Sequence, residues 1–188
     1  MKRITLILGG TRSGKSRHAE KLAEHAKKRT YIATAEAIDE EMQERIAVHR
    51  DRRDAAWETR EAPLDLVAAL GEGDAAQGLV LIDCITVWIG NLMHCGRPVA
   101  DEVGRLCDKL ASAKGQVIVV ANEVGLGIVP DNALARRFRD EAGWANQRIA
   151  ALADEVIFMS AGLPLTLKSR SRSRASQRQR PSAPGRKA

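Results

Sequence analysis

Eight residues constrain this chain more than any others. Gly9-Gly10-Thr11-Arg12-Ser13-Gly14-Lys15-Ser16 fits the pattern GxxxxGK[ST]. It follows a short apolar run, Ile4–Leu8, and precedes a helical stretch from Lys15 to about Lys28. Strand, glycine-rich loop and helix, in that order, are the context the motif requires. Glycines let the backbone wrap a phosphate, while loop amides and the helix N-terminus supply positive potential. Lys15 is expected to reach the β- and γ-phosphates of a nucleotide, and Ser16 to hold Mg²⁺. At ordinary glycine usage a chance turn rarely matches both pattern and context.

The rest of the chain alternates in the same way. Thr30–Ala33, Leu79–Asp83, Gln116–Ala121 and Glu155–Ser160 read as strands, Trp57–Glu61 as an extended segment, and Leu163–Lys168 as a candidate further strand. Ile38, Met42, Ile46 and His49 share one face of a helix. Pro63 opens a short helix through Leu70. Val99–Leu110 and Leu134–Leu152 carry longer apolar stripes. Strands alternating with helices predict an α/β fold with a mostly parallel central sheet flanked by helices. Such sheets bind ligands at the carboxyl ends of their strands.

The formal charge of +6 suggests a polyanionic partner until it is located. Ser169–Ala188 holds seven basic residues and no acid, which leaves 23 basic against 24 acidic residues in 1–168. The basic character therefore belongs to the tail. With no apolar residue larger than Ala or Pro, that tail cannot offset its ordering entropy by burial. The expected organisation is one domain over 1–168 and a disordered basic tail over 169–188. Six aromatics in 188 residues argue against base-stacking platforms, so nucleic acid is not an expected partner. Cys84, Cys95 and Cys107 have no CxxC spacing and read as free thiols of a reducing compartment. No apolar run approaches the roughly 18 residues of a membrane span. The apolar start is too short for a signal peptide, so the expected location is cytoplasmic.

Three further features carry possible chemistry. Asp83 ends an apolar strand, where a P-loop protein keeps the second acid for its metal; it also suits the N-cap of a helix beginning at Ile85. His49 has Arg45 at i−4, Arg52 at i+3 and Arg53 at i+4. A neutral imidazole ringed by guanidinium groups suits attack on an α-phosphate, and the cations disfavour its protonated form. A histidine at the end of an apolar stripe equally suits packing. Asn122–Pro130, with Gly125 and Gly127, is either a ligand-facing loop or a structural turn.

Taken together, ILGGTRSGKSRHAE, YIATAEAIDEEMQERIAVHRDRR, LIDCITVWIGNLM, NEVGLGIVPDNALARRFRDEAGWANQRIAALADEV and AGLPLTLK resemble the bifunctional adenosylcobinamide kinase / adenosylcobinamide-phosphate guanylyltransferase family over residues 2–168. The Walker loop alone fits many families, whereas RIxxHRxxR with NEVGxGIVP fits few. The resemblance implies a RecA-like P-loop fold, a homotrimer and two reactions. A nucleoside triphosphate (ATP or GTP) phosphorylates adenosylcobinamide; GTP then donates GMP to adenosylcobinamide phosphate, giving adenosylcobinamide-GDP and pyrophosphate. It also implies a guanylylated histidine, matched here by His49. The implied nucleotide contacts are Gly9–Ser16, Thr34, Ala35, Glu36, Arg50, Asp51, Arg52, Arg53, Glu61 and Asp83, with Mg²⁺ at Ser16 and Asp83. An acidic side chain can read the N1 and N2 donors of guanine. The tail lies beyond the family pattern.

Two other readings compete. One is a nucleic-acid-dependent P-loop ATPase of RecA type, for which the tail is the only basic patch. The other is a GTP-binding regulatory module, although no NKxD-like guanine motif is present.

Overall fold

In the computed structural model, residues 3–36, 40, 43, 54–72 and 78–169 are described. In chain order the elements are β1 (Arg3–Gly9), α1 (Lys15–Ala23), β2 (Arg29–Ala33), β3 (Trp57–Glu61), α2 (Leu66–Glu72), β4 (Leu79–Asp83), α3 (Ile85–His94), α4 (Val99–Ser112), β5 (Gln116–Asn122), α5 (Ala133–Leu152), β6 (Glu155–Ser160) and β7 (Leu163–Lys168).

The strands form one sheet in the order β3-β2-β4-β5-β1-β6-β7. All pairings are parallel except β6 with β7. The fold is thus the expected α/β class with a mostly parallel sheet. β1 lies between β5 and β6, with Leu6 opposite Val119 on one side and Val156 on the other. Buried on both faces from Ile4 onward, it carries a near-continuous apolar run, broken by Thr5, rather than an alternation. Ile4, Leu6 and Leu8 face a layer containing Trp88, Ile89, Leu106 and Ile149 from α3, α4 and α5. Ile7 faces the opposite way, with Leu81 and Val120, toward Ala19 and Ala23 of α1. Those two alanines let α1, which carries Lys15, lie close against the sheet.

Local departures from the sequence reading have local causes. α1 ends at Ala23 rather than near Lys28. There the His25 ring bridges the Leu22 carbonyl (2.7 Å) and Gln116 Oε1 (2.9 Å), so the last turn is tied to β5. α2 starts at Leu66 rather than Pro63. The carbonyls of Pro63 and Leu64 accept from Asn91 Nδ2 (3.0 Å) and Trp88 Nε1 (2.8 Å), so they are bonded to α3. The helical ladder begins with Ala69 N–H to Asp65 O. α3 buries Ile85, Thr86, Trp88, Ile89 and Leu92, a stripe too dense to read as simple periodicity. β5 runs one residue further, to Asn122, and Leu163–Lys168 does form a strand. Of the helix expected around 38–49, Glu40 and Gln43 are described and helical; Ile38, Met42, Ile46 and His49 lie outside the described residues, as do residues 170–188 of the tail. Among the described residues no helix is long and apolar enough to cross a membrane.

Candidate nucleotide-binding site

The glycine-rich loop leaves the carboxyl end of β1, in the middle of the sheet. Its backbone is set by close approach. A Cβ on Gly9 would lie 2.4 Å from the Met159 carbonyl oxygen on β6 and 2.8 Å from Ser13 Oγ. Gly14 begins α1 with φ 95°, in the left-handed region. The loop closes on itself through Ser13 N–H to Gly10 O at 3.3 Å. It is also held from outside: Gly162 N–H, in the turn between β6 and β7, donates to Ser13 O at 3.0 Å. Thr11 and Arg12 are exposed, and Ser16 is half-buried at the start of α1.

Lys15 is only 7% exposed and folds back over the loop, donating to Gly10 O at 2.6 Å and Ser13 Oγ at 3.5 Å. Burial lowers its pKa, and the charge of nearby Asp83 opposes that shift. An ammonium held by loop oxygens is poised to exchange them for phosphate oxygens, which restore charge balance in a poorly solvated place.

Asp83 is the last residue of β4, two strands from β1. Its Oδ2 accepts from the Tyr31 hydroxyl at 3.0 Å. The N-cap of α3 is not Asp83 but Cys84, whose Sγ accepts from Val87 N–H at 3.4 Å. Complete burial pushes the Cys84 thiol up to about 12, so it stays neutral. Thr34 fixes this corner. Its N–H donates to Asp83 O (3.1 Å), its hydroxyl accepts from Cys84 N–H and donates to Cys84 O (2.8 Å each), and its carbonyl accepts from Asn91 Nδ2 (2.8 Å). Thr34 is fully buried, so its polar atoms position the ends of β2 and β4. Ala35 and exposed Glu36 continue from the end of β2; Glu61 ends β3 at the same edge of the sheet.

The loop after β5 is anchored at its root. Glu123 N–H donates to Gly9 O at 3.0 Å. Asn122 N–H donates to Thr86 Oγ1 (2.7 Å), and Asn122 O accepts from Asn146 Nδ2 (3.2 Å). The Glu123 carboxylate accepts from Gly125 N–H at 2.6 Å, so part of this loop is a local turn. Beyond it Leu126, Ile128 and Val129 are exposed.

The structure therefore brings Gly9–Ser16, Thr34–Glu36, Glu61 and Asp83 to one edge of the sheet. His49, Arg50, Asp51, Arg52 and Arg53 lie outside the described residues, as does Arg45. Asn91, Thr86, Asn146 and Gly162 support the site without having been marked in the sequence; their partners are distant and carry no local pattern. Among the described residues no three His, Cys, Asp or Glu side chains converge as a metal cage. One hydroxyl and one carboxylate are hard oxygen donors of the kind Mg²⁺ takes when phosphates and water complete its shell, so Ser16 and Asp83 fit it.

Residues 5–167 match the family described as cobinamide kinase / cobinamide phosphate guanyltransferase. The chain is 50% identical over 166 residues to the bifunctional adenosylcobalamin biosynthesis protein CobP of Pseudomonas aeruginosa, covering 87% of this chain and 96% of that one. It is 40% identical over 180 residues to the bifunctional adenosylcobalamin biosynthesis protein CobU of Salmonella typhimurium, covering 88% and 99%. Among solved structures, an ATPase of a type III secretion system from pathogenic bacteria superposes with TM-score 0.55 at 12% identity, over 90% of this chain and 57% of that one. A Pyrococcus horikoshii protein gives 0.52 at 9% identity, over 89% and 87%. At these identities the likeness is one of fold.

Proposed function

The chain belongs to the cobinamide kinase / cobinamide phosphate guanyltransferase family, and we propose that its P-loop site serves both reactions, the second through a guanylyl group carried on His49. It is a bifunctional transferase of adenosylcobalamin biosynthesis: an adenosylcobinamide kinase and an adenosylcobinamide-phosphate guanylyltransferase. The observation that carries this is the match at 50% identity over nearly the whole of a relative. A nucleic-acid-dependent ATPase is not favoured.

In the kinase step, the loop amides and Lys15 hold the β- and γ-phosphates of ATP or GTP. The corrinoid's hydroxyl attacks the γ-phosphorus, and the bond to the bridging oxygen of the leaving diphosphate breaks. In the transferase step, the neutral His49 imidazole attacks the α-phosphorus of GTP and expels pyrophosphate. The phosphate of adenosylcobinamide phosphate then attacks the same phosphorus and releases the imidazole. Two displacements replace one difficult one. Arg45, Arg52 and Arg53 are the candidate clamps for the α-phosphate, with Arg50 and Asp51 as further nucleotide contacts. Ala35, Glu36 and Glu61 follow at the ends of β2 and β3, with Thr34 buried beneath them, and an acidic side chain among them is the candidate reader of guanine's donors. Ser16 and Asp83 would hold Mg²⁺, which when bound neutralises the charge of the leaving phosphates.

The proposal includes a homotrimer in the cytoplasm. Exposed Leu163 and Leu165 on β7 and Leu126 and Ile128 after β5 are apolar surface suited to subunit contacts. The three cysteines are unpaired. Light scattering at micromolar concentration tests the assembly; a monomeric mass refutes it.

The test of the histidine is direct. The protein is incubated with GTP labelled at the α-phosphate, with Mg²⁺ and no acceptor, and denatured. Acid-labile, alkali-stable label on wild type and none on His49→Ala is the expected result. An unlabelled wild type that binds GTP removes the covalent route.

A further inference from the structure

We infer that the two-residue turn between β6 and β7 is a working part of the phosphate cradle, and that Gly162 is a positioning residue for it. The inference rests on the nucleotide-binding reading of residues 9–16 and goes beyond it in naming what aims the loop.

The connection is direct. Gly162 N–H donates to Ser13 O at 3.0 Å. A peptide group is planar and trans, so the C=O of one residue and the N–H of the next point in opposite directions. Tying Ser13 O to the turn therefore turns Gly14 N–H away from the turn. Gly14 amide, at the N-terminus of α1, is among the groups that must face phosphate. The approach is close: a Cβ on Gly14 would sit 3.4 Å from Gly162 Cα.

The turn is built for this approach. Ser160 pairs with Leu163, leaving Ala161 and Gly162 as its two central residues, with φ of 51° and 80°. Two left-handed residues in a row are what a tight hairpin of this hand needs. Ala161 adopts that conformation without the freedom of glycine. β7 itself is an edge strand with all six residues exposed in the monomer, so within one chain its clearest work is to bring the turn back against the loop.

Substitutions at Gly162 separate backbone geometry from bulk, because a side chain there has open space, with nothing within 4 Å of its Cβ. Asn tolerates the left-handed region, Ala less so, and Val least. The full-length variants Gly162→Asn, Gly162→Ala and Gly162→Val would be titrated with a fluorescent GTP analogue and Mg²⁺, alongside thermal melts. The expected order of affinity is wild type, then Asn, Ala and Val, with Val weaker than wild type by roughly tenfold or more. The Michaelis constant for adenosylcobinamide should stay unchanged in Gly162→Asn and Gly162→Ala. If Val does not fold, the Asn–Ala contrast decides. Equal affinities, an order following side-chain size, or losses of melting temperature without losses of affinity would overturn the inference. A wild type that binds no nucleotide would instead remove the reading of the loop itself.

Discussion

The Tyr31 hydroxyl donates to Asp83 Oδ2 at 3.0 Å, so one oxygen of the acid at the end of β4 is steered by β2. In the proposed site the same carboxylate is the acid that would serve Mg²⁺. Asp83→Asn keeps an acceptor for Tyr31 but removes the charge. We expect melting within a few degrees of wild type and a fall in kcat of about 10²-fold or more in both reactions. Tyr31→Phe should cost far less, roughly tenfold at most. Steady-state kinetics with varied Mg²⁺ measure both; equal losses in the two variants would contradict the assigned division of labour.

Lys15→Met should abolish useful turnover in both reactions, by roughly 10²–10³-fold in kcat. Its effect on stability should have the opposite sign. Burial places the Lys15 pKa below its ordinary 10.5 in the folded protein. Between the folded and unfolded values the unfolded chain binds more protons, so this group's contribution to stability rises with pH there, and its cost is full below the folded value. The substitution should therefore leave the urea midpoint at pH 7 unchanged or raised, and flatten its rise toward pH 10. A clear loss of stability at pH 7 would argue against the desolvation account.

The three thiols should react very unequally. Cys95 is exposed, Cys84 is fully buried with its pKa near 12, and Cys107 is raised by burial. Reaction with a disulfide reagent at pH 8 should titrate one thiol promptly in the native protein and three after denaturation. Activity should survive the first modification. Prompt reaction at Cys84 would show that the β4–α3 corner opens readily.

Glu102 is buried with Arg97 and Arg105 as its partners, and Arg97 reaches Asp65 as well. This joins α4 to the start of α2. Glu102→Ala leaves two solvent-reaching arginines without a common anchor and should destabilise the fold by about 1–2 kcal/mol in urea melts. Nucleotide affinity at saturating stability should be untouched.

Deleting residues 169–188 should leave both activities intact. β7 ends at Lys168, whose Nζ donates to the carbonyls of Ala150 and Ala151, which fastens the end of that strand to α5. Turnover of the truncated and full chains is the measurement, and a large loss in the truncated one contradicts this.

What was legible in the sequence follows from how local each signal is. The P-loop was readable because its glycines, lysine and flanking strand are contiguous. Strands β4 and β5 were readable because burial on both faces forces continuous apolar runs. The start of α2 was not, since it is set by Asn91 and Trp88, more than twenty residues away. Asp83 offered two readings, and the N-cap went to Cys84, a residue with no strong capping preference of its own. The grip of Gly162 on Ser13 was invisible, because neither position carries a pattern that points to the other. For His49 the histidine-arginine pattern was the whole of the signal, and the covalent test above bears on it directly.

The placement of β1 between β5 and β6 has a consequence for how this enzyme comes into being. The ribosome makes the nucleotide motif well before the neighbours that shape it. One flank needs residues 116–122 and the other needs 155–160, with the turn at 161–162 closing it. Residues as far along as 162 must therefore emerge before this loop can hold a phosphate. Such long-range pairing slows folding and leaves an apolar β1 waiting for partners. In a nascent chain stalled before β6, the motif would be complete in sequence while the cradle did not yet exist.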